Sequence, residues 1–156
     1  MVEKHVEITE GFVQAEYNFW VGKYMDKFYD GLEEKKILGN KCPACGKIYL
    51  PPRKICGDCF KTINFENQWV ELKDRGTLIN FTSASYMVSE WGKTKTKDPV
   101  LIGMIKIDGS DTAVVYKILG AEEKDLKIGL KMQVVWNDKL QGHPTDIKGF
   151  KPVGGI

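Results

Sequence analysis

Large aromatic residues recur at helical spacing near the start of the chain. Between Gly11 and Lys36 they fall three and four residues apart, which places them along one side of an α-helix. We expect Gly31 to end this helix or a second short one. Two interpretations stay open: the stripe packs on the protein's own core, or part of it docks on a partner, because so small a domain cannot easily bury so many rings. The stripe consists of Val13, Tyr17, Trp20, Tyr24 and Phe28, widened by Phe12 and Phe19.

The second half of the chain has the pattern of β-structure. From Trp69 onward, short apolar runs rich in β-branched and aromatic residues alternate with turn residues. The clearest turn, Asp108 to Asp111, has the sequence Asp-Gly-Ser-Asp. Short strands with turns at nearly regular spacing favour a small barrel. Strands are predicted at 77–86, 100–107, 113–119, 132–136 and 147–153.

The segment between these two regions differs from both in amino-acid composition. Residues 37–66 are dense in Gly and Pro and poor in apolar residues, which predicts turns and short strands that need a metal or neighbouring structure to hold them. We therefore predict three parts: a helical arm at 1–36, a metal-clamped ribbon at 37–66 and a barrel at 67–156.

Length and composition exclude several classes of protein. With 156 residues, the chain is one domain or two small ones. A hydrophobic fraction of 42% and a charged fraction of 28% are those of a globular protein, and a net charge of +2 argues against a surface given over to polyanion binding. Met1 to Glu10 lacks the features of a secretory signal, and no apolar run approaches the roughly 18 residues that span a bilayer. We expect a soluble cytoplasmic protein.

Four cysteines form two Cys-x-x-Cys pairs, with ten residues between the inner two. In a reducing cytosol two such pairs favour metal ligands over disulfides, although a redox pair, two disulfides and a rubredoxin-like iron site remain alternatives. Each pair places two sulfurs on one tight turn, so a hairpin carrying both turns makes a tetrahedral zinc site. Four thiolates leave no open coordination position, so we predict a structural zinc. The predicted ligands are Cys42, Cys45, Cys56 and Cys59.

The two cysteine knuckles differ in the residue that follows them. Gly46 follows the first pair, where a positive φ lets backbone N–H groups turn toward the sulfurs. In the second pair Gly57 is interior and Phe60 follows, so we predict a less regular knuckle.

Residues for catalysis are missing from the sequence. No Gly-x-Ser-x-Gly elbow, Walker loop or dinucleotide fingerprint is present. The only histidines are His5, near the terminus, and His143, in a Gly-His-Pro loop where we expect it to be solvated. Once four cysteines bind metal, none is left as a nucleophile. We therefore predict that the chain alone is not an enzyme.

The order of these motifs resembles the DUF35 family, which joins a rubredoxin-like zinc ribbon to an acyl-CoA-associated OB-fold. The specific part is Cys-x-x-Cys-Gly-Lys at 42–47, Tyr-x-Pro-Pro-Arg at 49–53 and Cys-x-x-Cys at 56–59. The helical lead, 19–36, departs from the family in its greater length. Weaker similarities are Phe19-Trp20, Trp69 with Gly76-Thr77-Leu78, the run 128–132, and Phe150-Lys151-Pro152.

This resemblance implies a mainly β fold, an OB-fold barrel preceded by an N-terminal helical arm and a zinc ribbon. It also implies a non-catalytic subunit of a hetero-oligomer with a thiolase-fold enzyme whose own residues carry out catalysis. The subunit would shape the complex and its acyl-CoA site, as part of an acyl-CoA thiolase of anaerobic aromatic degradation.

CoA contact is expected at one basic segment. Residues 90–98 are polar and contain glycine, which predicts a mobile loop. Ammonium groups on this loop would attract the CoA phosphates, and an adjacent indole would stack on adenine, although a solvated loop explains the same residues. The candidate CoA contacts are Trp91, Lys93, Lys95 and Lys97.

Two other functions remain as alternatives. OB barrels bind single-stranded nucleic acid through aromatic side chains in a basic groove. The small net charge weighs against this function, as do Phe81 and Trp136, whose apolar neighbours indicate core positions. An independent hydrolase or carrier for CoA esters lacks a nucleophile and a base. The strand aromatics available for nucleic-acid binding are Phe81, Tyr86, Tyr116 and Trp136.

Overall fold

The computed structural model describes residues 15, 17, 19–89 and 92–154, with the backbone alone at 87–89 and 92–97. Its one α-helix in these residues, α1, spans Lys23–Glu33, shorter than the predicted 11–36. Gly22 precedes the helix with a φ of 89°, which is not a helical conformation. Phe12 and Val13 of the predicted stripe lie outside the described residues.

Gly31 does not end the helix as predicted. The helix ends two residues later, at Glu33. Beyond that end Lys35 takes a φ of 59°, and Lys36 N–H donates back to Gly31 C=O at 2.8 Å. Gly31 lies inside the last turn, where a Cβ would come within 2.8 Å of Leu38 Cδ1. The lack of a side chain there lets the following strand pack closely on the helix.

A small antiparallel sheet follows the helix. Its strands are β1 (Ile37–Lys41), β2 (Ile48–Tyr49) and β3 (Trp69–Leu72), in the order β2-β1-β3. The central strand β1 pairs with β3 from Ile37 opposite Leu72 to Asn40 opposite Trp69. The four cysteines therefore lie between the paired strands β1 and β3 in the sequence, and β2 separates the two cysteine pairs.

The remaining strands form a five-stranded antiparallel barrel in the order β6-β5-β4-β7-β8. A parallel bridge between Ile118 and Phe150 closes it, with Leu119 N–H donating to Phe150 C=O at 2.7 Å. This arrangement confirms the mainly β fold and the OB-fold barrel behind a ribbon and a helix. The strands are β4 (Arg75–Ser89), β5 (Gly92–Ile107), β6 (Ala113–Lys117), β7 (Lys131–Trp136) and β8 (Ile147–Pro152), with 3-10 turns at Glu123–Asp125 and Pro144–Asp146.

The prediction of a mobile loop at 90–98 is wrong over most of that segment. β5 begins at Gly92, and Lys93 and Lys95 pair with Val88 and Tyr86 of β4. Lysine and threonine alternate through this segment, and threonine is a β-branched residue that favours extended backbone. Pairing across a hairpin outweighs the low hydrophobicity on which the loop prediction rested.

One core joins the helix, the small sheet and the barrel. Phe28 and Leu32 of α1 are buried in the same cluster as Ile37 of β1 and as Ile105 and Phe150 of the barrel. A second, smaller cluster contains Tyr49 and Ile63 together with two of the cysteines. Among the described residues no helix is long and apolar enough to cross a membrane.

The predicted turn at 108–111 and the residue after it attach the small sheet to the barrel. Asp111 N–H donates to Ile48 C=O and its carboxylate accepts from Ile48 N–H, both at 2.8 Å. Thr112 Oγ1 accepts from Leu50 N–H at 2.7 Å and donates to Leu50 C=O at 2.8 Å. These paired bonds hold the cysteine segment at one end of the β5–β6 connection.

Candidate metal site and exposed aromatic segment

The structure brings the four cysteine sulfurs together. All four Sγ atoms lie within 4.8 Å of one another, with Cys42 to Cys59 at 3.5 Å and Cys45 to Cys56 at 3.6 Å. Tetrahedral zinc with Zn–S bonds of about 2.3 Å separates its sulfurs by about 3.8 Å. The spacing and the donor set therefore fit a zinc ion, and the four cysteines are positioned to bind one.

The two knuckles have the same backbone hydrogen bonds. Gly46 N–H donates to Cys42 C=O at 2.9 Å, and Phe60 N–H donates to Cys56 C=O at 3.2 Å. The backbone N–H groups of Cys42 and Cys56 donate to the C=O groups five residues later, those of Lys47 and Lys61, at 2.8 and 2.9 Å. Phe60 adopts a positive φ, as Gly46 does. The predicted irregularity of the second knuckle is therefore wrong for the backbone; the difference lies in the side chain.

The cysteines differ in their exposure to solvent. Cys42 and Cys56, the first residue of each knuckle, are completely buried, whereas Cys59 is half-buried and Cys45 is exposed. An ion pair between Lys47 and Asp58 links the two knuckles at the surface. One side of the site is therefore sealed by the protein and the other lies close to solvent.

Hydrogen bonds also make the four thiols unequal. Backbone N–H of Cys59, followed by the Tyr49 hydroxyl, lowers the pKa of Cys56 to about 6, and backbone N–H of Cys45 lowers the pKa of Cys42. Although the Lys61 N–H acts to lower the pKa of Cys59, hydrogen bonding with Cys56 and burial raise it to about 12. The two buried sulfurs are thus the ones whose thiolate form, the form that binds metal, is favoured.

Two side chains that support the site were not predicted as functional. The Tyr49 hydroxyl lies 3.2 Å from Cys56 Sγ, and the buried Asn40 side chain bonds both the N–H and the C=O of Arg53, at 3.1 and 2.6 Å. Tyr49 begins the Tyr-x-Pro-Pro-Arg motif at 49–53. Its position in the short strand between two cysteine pairs is the signal that marks it as a neighbour of the site.

The other predicted site residues lie elsewhere. Trp91 falls outside the described residues. Lys93, Lys95 and Lys97 lie on β5, toward the hairpin end that is opposite to the turn at 108–111. The structure does not bring them near the cysteines, and their role in CoA binding stays a prediction.

The aromatic stripe divides into a packed part and an exposed part. Phe28 is buried, and the Tyr24 ring meets the rings of Phe65 and Trp69 at centroid distances of 5.3 and 6.1 Å. Lys27 lies 4.9 Å from the Trp69 ring centroid, and the Tyr24 hydroxyl donates to Ile63 C=O at 2.6 Å. This packing fastens α1 to the ribbon.

Before the helix, the residues that the structure describes include three aromatic rings that remain in solvent. Tyr17, Phe19 and Trp20 are 79%, 77% and 74% exposed, and we call them the exposed aromatic segment. The Trp20 indole N–H donates to the Asp26 carboxylate, which directs the ring without covering it. Exposed rings in such a group are typical of a surface that meets another molecule.

The aromatics considered for nucleic-acid binding are mostly part of the core. Phe81, Tyr116 and Trp136 pack against it, and only Tyr86 is half-exposed among the four. His143 is not simply solvated, because its side chain accepts from Thr145 N–H at 3.3 Å and caps the 3-10 turn.

Two family models match the chain in succession. A model described as "ChsH2, rubredoxin-like zinc ribbon domain" matches residues 30–66, and "ChsH2, C-terminal OB-fold domain" matches 69–137. A DUF35 domain-containing scaffold protein of Methanocaldococcus jannaschii is 24% identical over 121 residues, which cover 75% of this chain and 82% of that protein.

Solved structures have the same fold. A DUF35 protein of unknown function from Sulfolobus solfataricus is 29% identical, with a TM-score of 0.59 over 73% of this chain and 78% of that one. The chain also resembles the Ltp2-ChsH2(DUF35) aldolase, with a TM-score of 0.62 over 86% of this chain and 98% of that one. At 17% identity this second similarity shows the fold alone.

Proposed function

The chain belongs to the DUF35 family of zinc-ribbon and OB-fold proteins, and on that premise we propose that it is a non-catalytic subunit that assembles with a thiolase-superfamily enzyme. In this role the zinc ribbon and the barrel form a rigid body that is attached to the enzyme. The acyl transfer chemistry belongs to the partner.

The exposed aromatic segment is the observation that carries this proposal. Tyr17, Phe19 and Trp20 each leave about three quarters of their surface in water, while the rings of the adjacent helix are packed. Trp and Tyr are the residues most often found as energetic anchors in protein interfaces. Burial of these rings against a partner would remove the free-energy cost of exposing them to water. A stable protein partner therefore explains their presence.

The metal site supports a non-catalytic role. The four cysteine sulfurs lie close enough together to hold one zinc ion, and four thiolate ligands would leave no position on it for water or substrate. Cys42 and Cys56 are also buried, so their sulfurs are not available as nucleophiles. When bound, the zinc supplies folding free energy to a segment that has only a small core of its own.

The names of related proteins agree with an assembly role. The relative from Methanocaldococcus jannaschii is described as a scaffold protein, and a structural neighbour is named the Ltp2-ChsH2(DUF35) aldolase. Extended to this chain, these names favour a subunit that assembles with an enzyme. The finer proposal is an acyl-CoA thiolase of anaerobic aromatic degradation, of the benzoylsuccinyl-CoA thiolase type.

We further propose that the far end of the β4–β5 hairpin contacts CoA. Lys93, Lys95 and Lys97 place three cationic residues within five positions of one strand, and Trp91 lies next to them in the sequence. Ammonium groups attract the phosphates of CoA. This contact would let the subunit shape the acyl-CoA site of its partner.

Co-expression with a thiolase-superfamily protein encoded beside this chain tests the proposal. We expect the two chains to purify as one complex of fixed stoichiometry, and the partner to lose thiolysis activity when this chain is omitted. A chain that purifies alone, leaves the partner fully active and binds single-stranded DNA in a salt-sensitive manner would instead be a nucleic-acid-binding protein.

A further inference from the structure

Tyr49 makes the zinc site chemically asymmetric. The two knuckles share their backbone geometry, so Cys42 and Cys56 occupy equivalent positions. Each accepts hydrogen bonds from two backbone N–H groups of its own knuckle. Within the described part of the chain, Cys56 but not Cys42 has a hydroxyl beside it in addition, that of Tyr49 at 3.2 Å. One side chain therefore breaks the equivalence of the two buried sulfurs.

The direction of this hydrogen bond follows from its other partner. Gly57 N–H donates to the Tyr49 oxygen at 3.0 Å, so the oxygen is already an acceptor. A sulfur that binds zinc is a thiolate and has no proton to give. The Tyr49 hydroxyl must therefore donate its proton toward Cys56 Sγ.

The surroundings hold the tyrosine in place and keep the contact dry. Tyr49 is 3% exposed and Cys56 is 0% exposed, and a hydrogen bond is stronger where water does not compete. Arg53 lies over the ring, with its guanidinium carbon 5.3 Å from the centroid. Asn40 fixes the backbone of Arg53 in turn.

We propose that Tyr49 is a positioning residue of the zinc site, whose hydroxyl donates to the Cys56 sulfur, orients that ligand and slows the loss of the metal. The inference rests on zinc binding by the four cysteines, as in the proposed function. A donor to a ligand sulfur fixes the orientation of that ligand, and loss of a partner of this kind commonly costs about 10- to 100-fold in metal affinity. Tyr49 would thus link the Tyr-x-Pro-Pro-Arg segment to the metal.

The variant Tyr49→Phe tests this role, because it removes one oxygen atom and keeps the ring. We expect zinc to bind at least about 10-fold more weakly in competition with a chelator. In cobalt-substituted protein the thiolate-to-cobalt charge-transfer bands should move to longer wavelength, because the Cys56 sulfur loses its hydrogen-bond donor.

The matched control is Tyr24→Phe. The Tyr24 hydroxyl also donates to the ribbon, to Ile63 C=O at 2.6 Å, but it contacts no sulfur. We expect this variant to lower stability without moving the cobalt bands. Identical bands and zinc affinity in Tyr49→Phe and the wild-type protein would overturn the role of Tyr49 alone. Absence of thiolate-to-cobalt bands in the wild-type protein would overturn the zinc site itself.

A measurement on the unaltered protein covers the case in which Tyr49→Phe does not fold. In protein loaded with cadmium-113, the proton of the Tyr49 hydroxyl should show scalar coupling to the metal through the Cys56 sulfur. A hydroxyl proton that is observed without this coupling would contradict the proposal.

Discussion

Phe60 occupies in the second knuckle the backbone position that Gly46 occupies in the first, with φ values of 57° and 78°. Glycine adopts this conformation freely, whereas a residue with a Cβ atom is strained there by roughly 1 kcal/mol or more. The Phe60 ring is 78% exposed, so packing within the chain does not offset the strain. Strain of this kind is often kept where a side chain serves another purpose.

The first prediction concerns this strain. We expect Phe60→Gly to stabilise the zinc-loaded chain by about 1 kcal/mol, less the entropy that glycine adds to the unfolded state. Denaturant unfolding followed by fluorescence measures the change. Phe60→Ala is the control, because it removes the ring and keeps the Cβ, and it should bring no gain. A less stable Phe60→Gly protein would show that the ring contributes to the fold.

The second prediction concerns the metal ligands. Replacing Cys42 by Ser should abolish zinc binding and lower Tm, because a buried ligand position is lost and the small ribbon core depends on the metal. Elemental analysis should find one zinc per wild-type chain and none in the variant. Chelation of the wild-type protein should lower Tm in the same way. An unchanged Tm after complete removal of zinc would mean that the ribbon folds without it.

The third prediction separates docking from packing in the aromatic stripe. Trp20→Ala should weaken assembly with the enzyme partner by at least about 2 kcal/mol while it leaves Tm nearly unchanged, because the ring is 74% exposed. Tyr24→Ala should do the opposite and lower Tm, because its ring packs on Phe65 and Trp69. Calorimetric titration and thermal unfolding provide the two measurements. A large loss of stability in Trp20→Ala without weaker assembly would identify the ring as structural.

The fourth prediction concerns the attachment of ribbon to barrel. Thr112→Val removes a hydroxyl that serves both the N–H and the C=O of Leu50, a residue that is 2% exposed. Leaving these buried groups without partners should cost about 1–3 kcal/mol. Hydrogen exchange at 48–50 should rise more than exchange in β7. Thr112→Ser retains the hydroxyl and should stay near wild type in both measurements. A Thr112→Val protein as stable as wild type, beside a destabilised Thr112→Ser protein, would show that the methyl group, not the hydroxyl, matters.

The spacing of aromatic residues predicted the helix near the N-terminus but not its bounds. The aromatic spacing correctly placed Tyr24 and Phe28 on a packed face, but it could not show where the helix begins. Gly22 stands at that boundary, and the same spacing continues across it. Gly31 was expected to end the helix, yet its role is to admit Leu38 of the next strand. The periodicity of a helix or a strand does not show where another element packs closely against it.

The sequence by itself determined the parts of this protein that depend on local chemistry: two cysteine knuckles, the strands after Trp69 and the turn between Asp108 and Asp111. Residue type and short-range spacing suffice for these, because turns and alternation are set within a few residues. Only the tertiary structure decided that Tyr49 meets Cys56, that Thr112 holds Leu50 and that Trp20 is exposed while Tyr24 is packed. Those contacts depend on how distant segments come together, and burial and long-range hydrogen bonding are properties of the folded chain.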